Sequence, residues 1–451
     1  MKVIPPSIGL KGIGVPNSAD PRAIIAQSPM TWRQVAAVAV CAVLNGLDGF
    51  DVLSISFAAP GIAQAWGIER AALGVVLSME LVGMAIGSIV MGQLADRIGS
   101  RLIALICLVV MSTGMVLAAQ SNSPVELGLV RLVTGLGIGG LLASISAVAA
   151  GCANSRWKTT SVALMAGGYP LGAVIGGAFS ANLLADGDWR VVFNLGAALT
   201  LAMLPLAWWL LPESLDSVLR RTTGDRRLAL VNRSLAKLGH IPLASLPDNL
   251  VIERPRVRAL VADALGTVTA LLVAAYFLHM LSFYFLLKWT PKIVADLGFS
   301  APQAAQVLVW INIGGVAGSF LFSLLTSRLP LRMLLVGSLA LSALFIAAFG
   351  LSRASMEALK WSALAAGFAT NAVIVGLYAL VAASYPAHLR GGGTGLVIGL
   401  GRGGAALGPI LAGLLFAAGL DRGLVATAMA VGSFLAIAAI ICVWKDRPTP
   451  N

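Results

Sequence analysis

Twelve separate stretches of this chain are long and apolar enough to cross a bilayer, and this constrains the fold more than any other feature. A membrane-spanning helix needs about 20 mostly apolar residues. Windows of that length fall at about 33–60, 72–94, 102–120, 126–150, 160–184, 190–211, 264–288, 303–326, 331–351, 358–384, 393–418 and 423–444. Most breaks between them carry Pro, Gly or charge, as at Pro60-Gly61, Ser123-Pro124, Asp186-Gly187-Asp188, Pro330 and Asp421-Arg422-Gly423. Composition excludes the soluble alternatives. Hydrophobic residues make up 58% of the chain and charged residues 11%, against roughly 25% charged in an ordinary soluble domain. A mean hydropathy of +0.90 leaves too little polar surface to cover the apolar mass of a soluble enzyme or a nucleic-acid-binding domain. Cys41, Cys107, Cys152 and Cys442 have no paired spacing, which gives neither a disulfide framework nor a metal site.

Lys and Arg positions set the expected orientation. With the N-terminus in the cytoplasm, Arg97, Arg101, Arg156, Lys158, Arg328, Arg332, Arg390 and the basic stretch holding Arg220, Arg221, Arg226, Arg227, Arg254, Arg256 and Arg258 all fall inside. The outside keeps Arg70, Arg190, Lys288, Lys292, Arg353, Lys360 and Arg422. The net charge of +12 is then an orientation signal and needs no nucleic-acid partner. Both termini are expected in the cytoplasm, and the first apolar segment is too long for a cleaved signal core.

The chain also repeats. Gly87-Ser88 and the loop around Arg97 match Gly318-Ser319 and the loop around Arg328, while Lys158, Gly167, Gly172 and Gly176 match Arg390, Gly399, Gly404 and Gly408 at a nearly constant offset. The expected organisation is a cytoplasmic tail (1–32), a six-helix half (33–211), a cytoplasmic linker (212–263), a second six-helix half (264–444) and a short tail (445–451). This is an all-α membrane protein of twelve transmembrane helices in two pseudo-symmetric halves. Such duplication is the architecture of secondary transporters, with the substrate site between the halves near mid-membrane. No Ser-His-Asp or metal constellation points to an enzyme, and no P-loop lysine pattern points to ATP; the expectation is a transporter without a cofactor.

Gly92-Gln93-Leu94-Ala95-Asp96-Arg97-Ile98-Gly99-Ser100-Arg101 resembles the loop 2–3 signature of the major facilitator superfamily, and Arg131-Leu132-Val133-Thr134-Gly135-Leu136-Gly137-Ile138-Gly139-Gly140 is similar to its fourth-span motif. Within that superfamily, Asp48-Gly49-Phe50-Asp51 in the first span resembles the acid pair of the aromatic acid:proton symporter family. The stretches Tyr284–Pro291 and Gly399–Pro409, the latter carrying Arg402, are similar to the same family. Departures stand at Ser100, Ser327, Gly151–Asn154 and Glu80. The resemblance implies the major facilitator fold in a bacterial inner membrane and a part in aromatic hydrocarbon catabolism. It implies protons and a benzoate- or hydroxybenzoate-like carboxylate as partners, and a monomer is expected. It also implies proton coupling at Asp48 and Asp51, coupling at Arg131, and a gate at Asp96 and Arg97 that locks the outward-open state.

A charge at the bilayer centre costs at least about 2.5–3.5 kcal/mol, so the charges within the spans demand partners. Asp48 and Asp51 lie three residues apart on one helix face, and two carboxylates so close do not both ionise cheaply, which suits a proton site. The alternative is that they pair with Arg131 or neighbouring helices. Arg402 lies roughly 15 Å into its helix, and its guanidinium is suited to grip a carboxylate bidentately; the alternative is an internal salt bridge. Arg131 reads equally as a coupling residue or a permanent structural pair, and Glu80 as a second proton site or a substrate selector. His279 reads as a hydrogen-bonded packing residue, with a group titrating near neutrality as the alternative. Tyr169, Tyr276, Tyr284, Trp289, Trp310, Asn312, Asn371 and Tyr378 are candidates to line the cavity, with Tyr284, Asn312 and Tyr378 the chosen substrate contacts; Trp289 reads equally as an interface anchor.

The expected activity is proton-coupled import. A proton loads the acid pair from outside, the carboxylate binds Arg402, and the halves rock past one another, breaking contacts at Asp96. The rivals are a non-aromatic organic acid as cargo, export instead of uptake, and a transporter-like sensor.

Overall fold

The computed structural model describes residues 20–247, 260, 263–386 and 389–445, so the first part of the N-terminal tail, the end of the linker with Arg254, Arg256 and Arg258, and the last residues lie outside the described part. Among the described residues every regular element is helical. After a short helix α1 (Pro21–Gln27), six long helices follow: α2 (Trp32–Trp66), α3 (Arg70–Ile98), α4 (Ser100–Gln120), α5 (Pro124–Cys152), α6 (Lys158–Leu183) and α7 (Arg190–Leu210). Two short helices, α8 (Leu215–Arg221) and α9 (Gly224–Lys237), precede six more long ones. These are α10 (Asp263–Asp296), α11 (Ala301–Leu325), α12 (Leu331–Leu351), α13 (Met356–Ser384), α14 (Arg390–Ala417) and α15 (Arg422–Lys445). All twelve long helices are apolar enough to span a membrane.

Helix starts follow local chemistry. Thr31 and Gln34 form a reciprocal capping box at the head of α2, and Ser300 with Gln303 does the same for α11. Ser123 caps α5, with Pro124 at its first position. Two boundaries differ from the sequence reading. The first span does not stop at Pro60-Gly61: α2 runs through Pro60 to Trp66. A helix in lipid tolerates proline where neighbouring helices cover it, and Gly61 lies against Trp189, which a Cβ would meet at 2.8 Å. The seventh span does not end at 288 either. Helix α10 continues to Asp296 and takes Lys288, Trp289 and Lys292, which the sequence places at or beyond a span end, into the helix.

The two sets of six pack alike. In the first, α2 packs on α6, α3 on α5, and α4 on α5 and α7; in the second, α10 packs on α14, α11 on α13, and α12 on α13 and α15. Glycine permits the closest of these approaches: a Cβ on Gly172 of α6 would fall 1.8 Å from the Gly46 carbonyl of α2. Its counterpart Gly404 of α14 meets the Phe277 carbonyl of α10 at 1.9 Å.

The halves meet along two related seams, α3 with α14 and α6 with α11, and along α2 with α10. One ion pair bridges them at the end of the bundle where α3 and α11 begin. Arg70 reaches Asp296 at 3.2 Å and lies over the Phe416 ring at 5.4 Å. At the opposite end, α8 and α9 fasten onto the first half. Ser217 donates to the Ala95 carbonyl at 3.1 Å, Arg33 to the Ala236 carbonyl at 2.9 Å, and Arg221 pairs with Glu213 at 3.3 Å.

Candidate functional site

The intramembrane charges come together between the halves. One turn of α2 carries Asp48 and Asp51 on the same face, 1% and 0% exposed. Among the described residues no donor reaches any of their four carboxylate oxygens. Burying a carboxylate without a hydrogen bond is costly. The alternative that Asp51 pairs with Arg131 through its carboxylate does not hold. Arg131 of α5 donates instead to the Asp51 backbone carbonyl at 2.8 Å, to the Met115 sulfur at 3.1 Å and to Glu80, and its guanidinium lies 5.5 Å from the centre of the Phe193 ring.

Glu80 of α3 is the hub of a buried triad. One oxygen accepts from Arg131; the other accepts from Lys288 of α10 at 3.2 Å. All three side chains are fully buried. Lys288 also donates to the Val52 carbonyl of α2, one residue beyond Asp51. Sequence reasoning assigned Lys288 to the outside loops. The signal that could have found it is its spacing four residues after Tyr284, which puts both on one face of α10.

Arg402 of α14 is half-buried and, among the described residues, makes no ion pair. It acts electrostatically on Asp48, Tyr276 and Tyr284. The chain has five tyrosines, and four of them, Tyr169, Tyr276, Tyr284 and Tyr378, form one interacting set beside this arginine. The hydroxyls of Tyr276 and Tyr378 are 3.4 Å apart with their ring centres at 6.2 Å. Tyr284 packs edge-on against Phe283 at 5.3 Å. Among the described residues the site thus offers an arginine without an ion pair, two carboxylates without a hydrogen-bond donor, and aromatic rings bearing hydroxyl groups.

The other candidates divide. Asn312 is buried and donates to the Leu308 carbonyl of its own helix at 2.9 Å; Asn371 does likewise to Gly367 at 3.1 Å. Tyr378 is 41% exposed. His279 is buried and hydrogen-bonded: Nδ1 bonds the Ser433 hydroxyl at 3.0 Å and Nε2 lies 3.1 Å from the Thr370 carbonyl. Trp289 is no interface anchor. It is buried, donates to the Pro409 carbonyl at 3.0 Å and packs on Phe416. Trp310 stacks on the exposed Trp361 at 5.7 Å. Arg97 is solvent-exposed without an ion pair among the described residues, and the side chain of Asp96 lies outside the described part. A separate groove of about 400 Å³ between α10 and α14, lined by Val273, Phe277, Leu396 and Leu400, is apolar and contains none of these charges. Among the described residues no cluster of three or more His, Cys, Asp or Glu is arranged to hold a metal.

Known proteins resemble this chain along nearly its whole length. The family model of the Major Facilitator Superfamily matches residues 41–257 and 272–451. The gallate transporter of Pseudomonas putida is 30% identical over 92% of each chain. The 4-hydroxybenzoate transporter of Pseudomonas aeruginosa is 29% identical over 94% of this chain and 95% of its own. The crystal structure of a bacterial homologue of the human lysosomal transporter Spinster superposes with a TM-score of 0.72 at 16% identity, covering 94% of this chain and all of that one, a likeness of fold. With twelve apolar helices of this arrangement, the protein is a multi-pass membrane protein. The chain belongs to the Major Facilitator Superfamily, a family of transporters and not of enzymes, and within it to the aromatic acid:proton symporter family.

Proposed function

We propose that this protein imports an aromatic carboxylate together with protons by alternating access, in a bacterial inner membrane with both termini in the cytoplasm. The observation that carries the reading is the pairing of opposites left open at the site: among the described residues Arg402 makes no ion pair, and the carboxylates of Asp48 and Asp51 accept from no donor. An incoming carboxylate completes Arg402 by two parallel charge-assisted hydrogen bonds, and incoming protons complete the acid pair. The four tyrosines offer ring faces and hydroxyls to a hydroxylated aromatic ring. The cargoes for which the two relatives are named, gallate and 4-hydroxybenzoate, support that choice of chemistry.

The residues take distinct parts. Asp48 faces the substrate arginine and senses cargo; Asp51 neighbours Arg131 and carries the proton. Glu80, held by two cations, serves as their fixed counter-ion. The Lys288–Glu80 pair joins the halves beside the acid pair, which supports reading the end that bears Arg97 as the open one; positive-inside counting makes that end the cytoplasm. That reading assigns the arrangement to the substrate-release step.

The test is uptake into proteoliposomes of labelled hydroxybenzoates, benzoate and non-aromatic acids, with an inward proton gradient and with a protonophore, for wild type and Asp51→Asn. Gradient-driven accumulation of aromatic acids by wild type, absent from the variant, is the expected result. Accumulation of non-aromatic acids alone overturns the cargo. Binding without transport under any gradient makes the protein a sensor.

A further inference from the structure

Lys288 is the only member of the buried triad that comes from the second half. Glu80 and Arg131 sit on α3 and α5, which pack against each other within the first half, whereas Lys288 crosses from α10 to reach both Glu80 and the Val52 carbonyl. It does so about two to three helical turns inward of the end where Arg70 meets Asp296 and where Gly74 of α3 lies against Gly413 of α14. Any motion that separates the halves at this end breaks the Lys288 contacts and leaves Glu80 still paired with Arg131.

The asymmetry matters energetically. A fully buried ammonium has no water to fall back on, so the closed state requires Glu80 and Val52 as its partners. Once the halves part, Lys288 faces the opening and is hydrated. The exposed Arg70–Asp296 pair does not share this property, because solvent already screens it and such pairs contribute little.

We propose that Lys288 is a residue of the transport cycle: the cation that holds the Arg70 end closed by borrowing Glu80 from the opposite half, released and rebound once per turnover. Its role in the cycle rests on the alternating-access reading, but whether it closes this end does not depend on the cargo. Glu80 is then a shared anchor between an intra-half and an inter-half cation, and the register of Lys288 beyond Tyr284 links closure of this end to the helix that lines the substrate space.

Hydrogen–deuterium exchange of the purified protein without substrate tests this, because it reads which end is open. Lys288→Met is expected to speed exchange at the start of α3 and the end of α14 about tenfold or more, and to slow it at the Arg97 end. Lys288→Arg keeps the charge and is expected to exchange like wild type. Glu80→Asp retracts from Lys288 while retaining a carboxylate for Arg131, so it is expected to follow the Met variant and provides the readout if that variant is not recovered folded. Arg70→Gln is expected to change little. Unchanged exchange at both ends in Lys288→Met, or in Glu80→Asp if that variant must serve, overturns the proposal. So does equal opening in Lys288→Arg, which would make the effect one of packing and not of the ion pair. A protein that fails the uptake panel but opens in these variants refutes the cargo assignment and leaves the role of Lys288 in closure standing.

Discussion

Gly74 of α3 and Gly413 of α14 bring the two halves together backbone to backbone. A Cβ placed on Gly74 would fall 2.6 Å from the Pro409 carbonyl oxygen and 3.2 Å from the Gly413 Cα. These are main-chain atoms with no rotamer to yield, so the seam tolerates nothing larger than hydrogen. Gly74→Val is therefore expected to wedge the seam open and not to disturb either half, since the clash lies between them. Overpacking costs typically about 1–3 kcal/mol, enough to shift the equilibrium between states roughly 5- to 150-fold. Initial uptake rates should fall by at least about tenfold, while circular dichroism and monodispersity match wild type; uptake at the wild-type rate would refute this.

Arg402 tests the carboxylate contact. Lysine retains the charge but cannot present the planar fork that matches a carboxylate. Arg402→Lys is expected to raise the KM for uptake about tenfold, and Arg402→Ala by about a hundredfold or more. Equilibrium binding of a labelled hydroxybenzoate should weaken in the same order. An unchanged KM in the alanine variant would remove Arg402 from the substrate site.

His279 should prove structural. Its two ring nitrogens face Ser433 and the Thr370 carbonyl inside the second half, away from the carboxylates. His279→Ala leaves a buried carbonyl and hydroxyl without these partners and a cavity besides, a loss of about 2–4 kcal/mol. A thermal melt in detergent should shift down by several degrees. The pH profile of uptake should keep its shape, and a displaced profile would place His279 on the proton path.

Lys237 gives the linker a pH response. Burial, followed by the neighbouring Arg101 and Arg233, pushes its ammonium down to about 8 while it donates to the Leu211 carbonyl at 3.1 Å. The docked linker thus disfavours the charged form, and the penalty is full below about pH 8. It is relieved as pH rises from there toward the ordinary lysine value. Exchange protection of α9, corrected for intrinsic rates, should increase between pH 7 and 9. Lys237→Arg, which stays charged, should abolish that increase.

Much of the architecture can be read from the chain because lipid imposes simple rules. Length and hydropathy define the spans, and the repeat of Gly167, Gly172 and Gly176 by Gly399, Gly404 and Gly408 signals two alike halves. The misreadings have a common cause. Pro60 and Lys288 look like boundaries in a one-dimensional scan, since proline and lysine usually end spans; both are retained because a packed neighbour serves them, Trp189 beside Gly61 in one case and Glu80 in the other. Asp48, Asp51 and Arg402 were legible as intramembrane charges. That Glu80 takes Arg131, leaving Asp51 without a donor, was not, because the choice among partners is made by tertiary packing. Likewise the convergence of four tyrosines on Arg402 depends on how α6, α10 and α13 are brought together, which no spacing along one helix records.

The division of the triad between the halves bears on how the protein is made. Glu80 and Arg131 belong to helices synthesised early and packed on each other, so their charges can neutralise in the bilayer before the ribosome has reached α10. Lys288 emerges later and finds its counter-ion already waiting in finished structure. The reverse order would strand an ammonium in hydrocarbon with nothing to receive it. A second half made by itself would face that difficulty, while the first half would not, and biogenesis thereby acquires a direction that the symmetry of the fold alone does not supply.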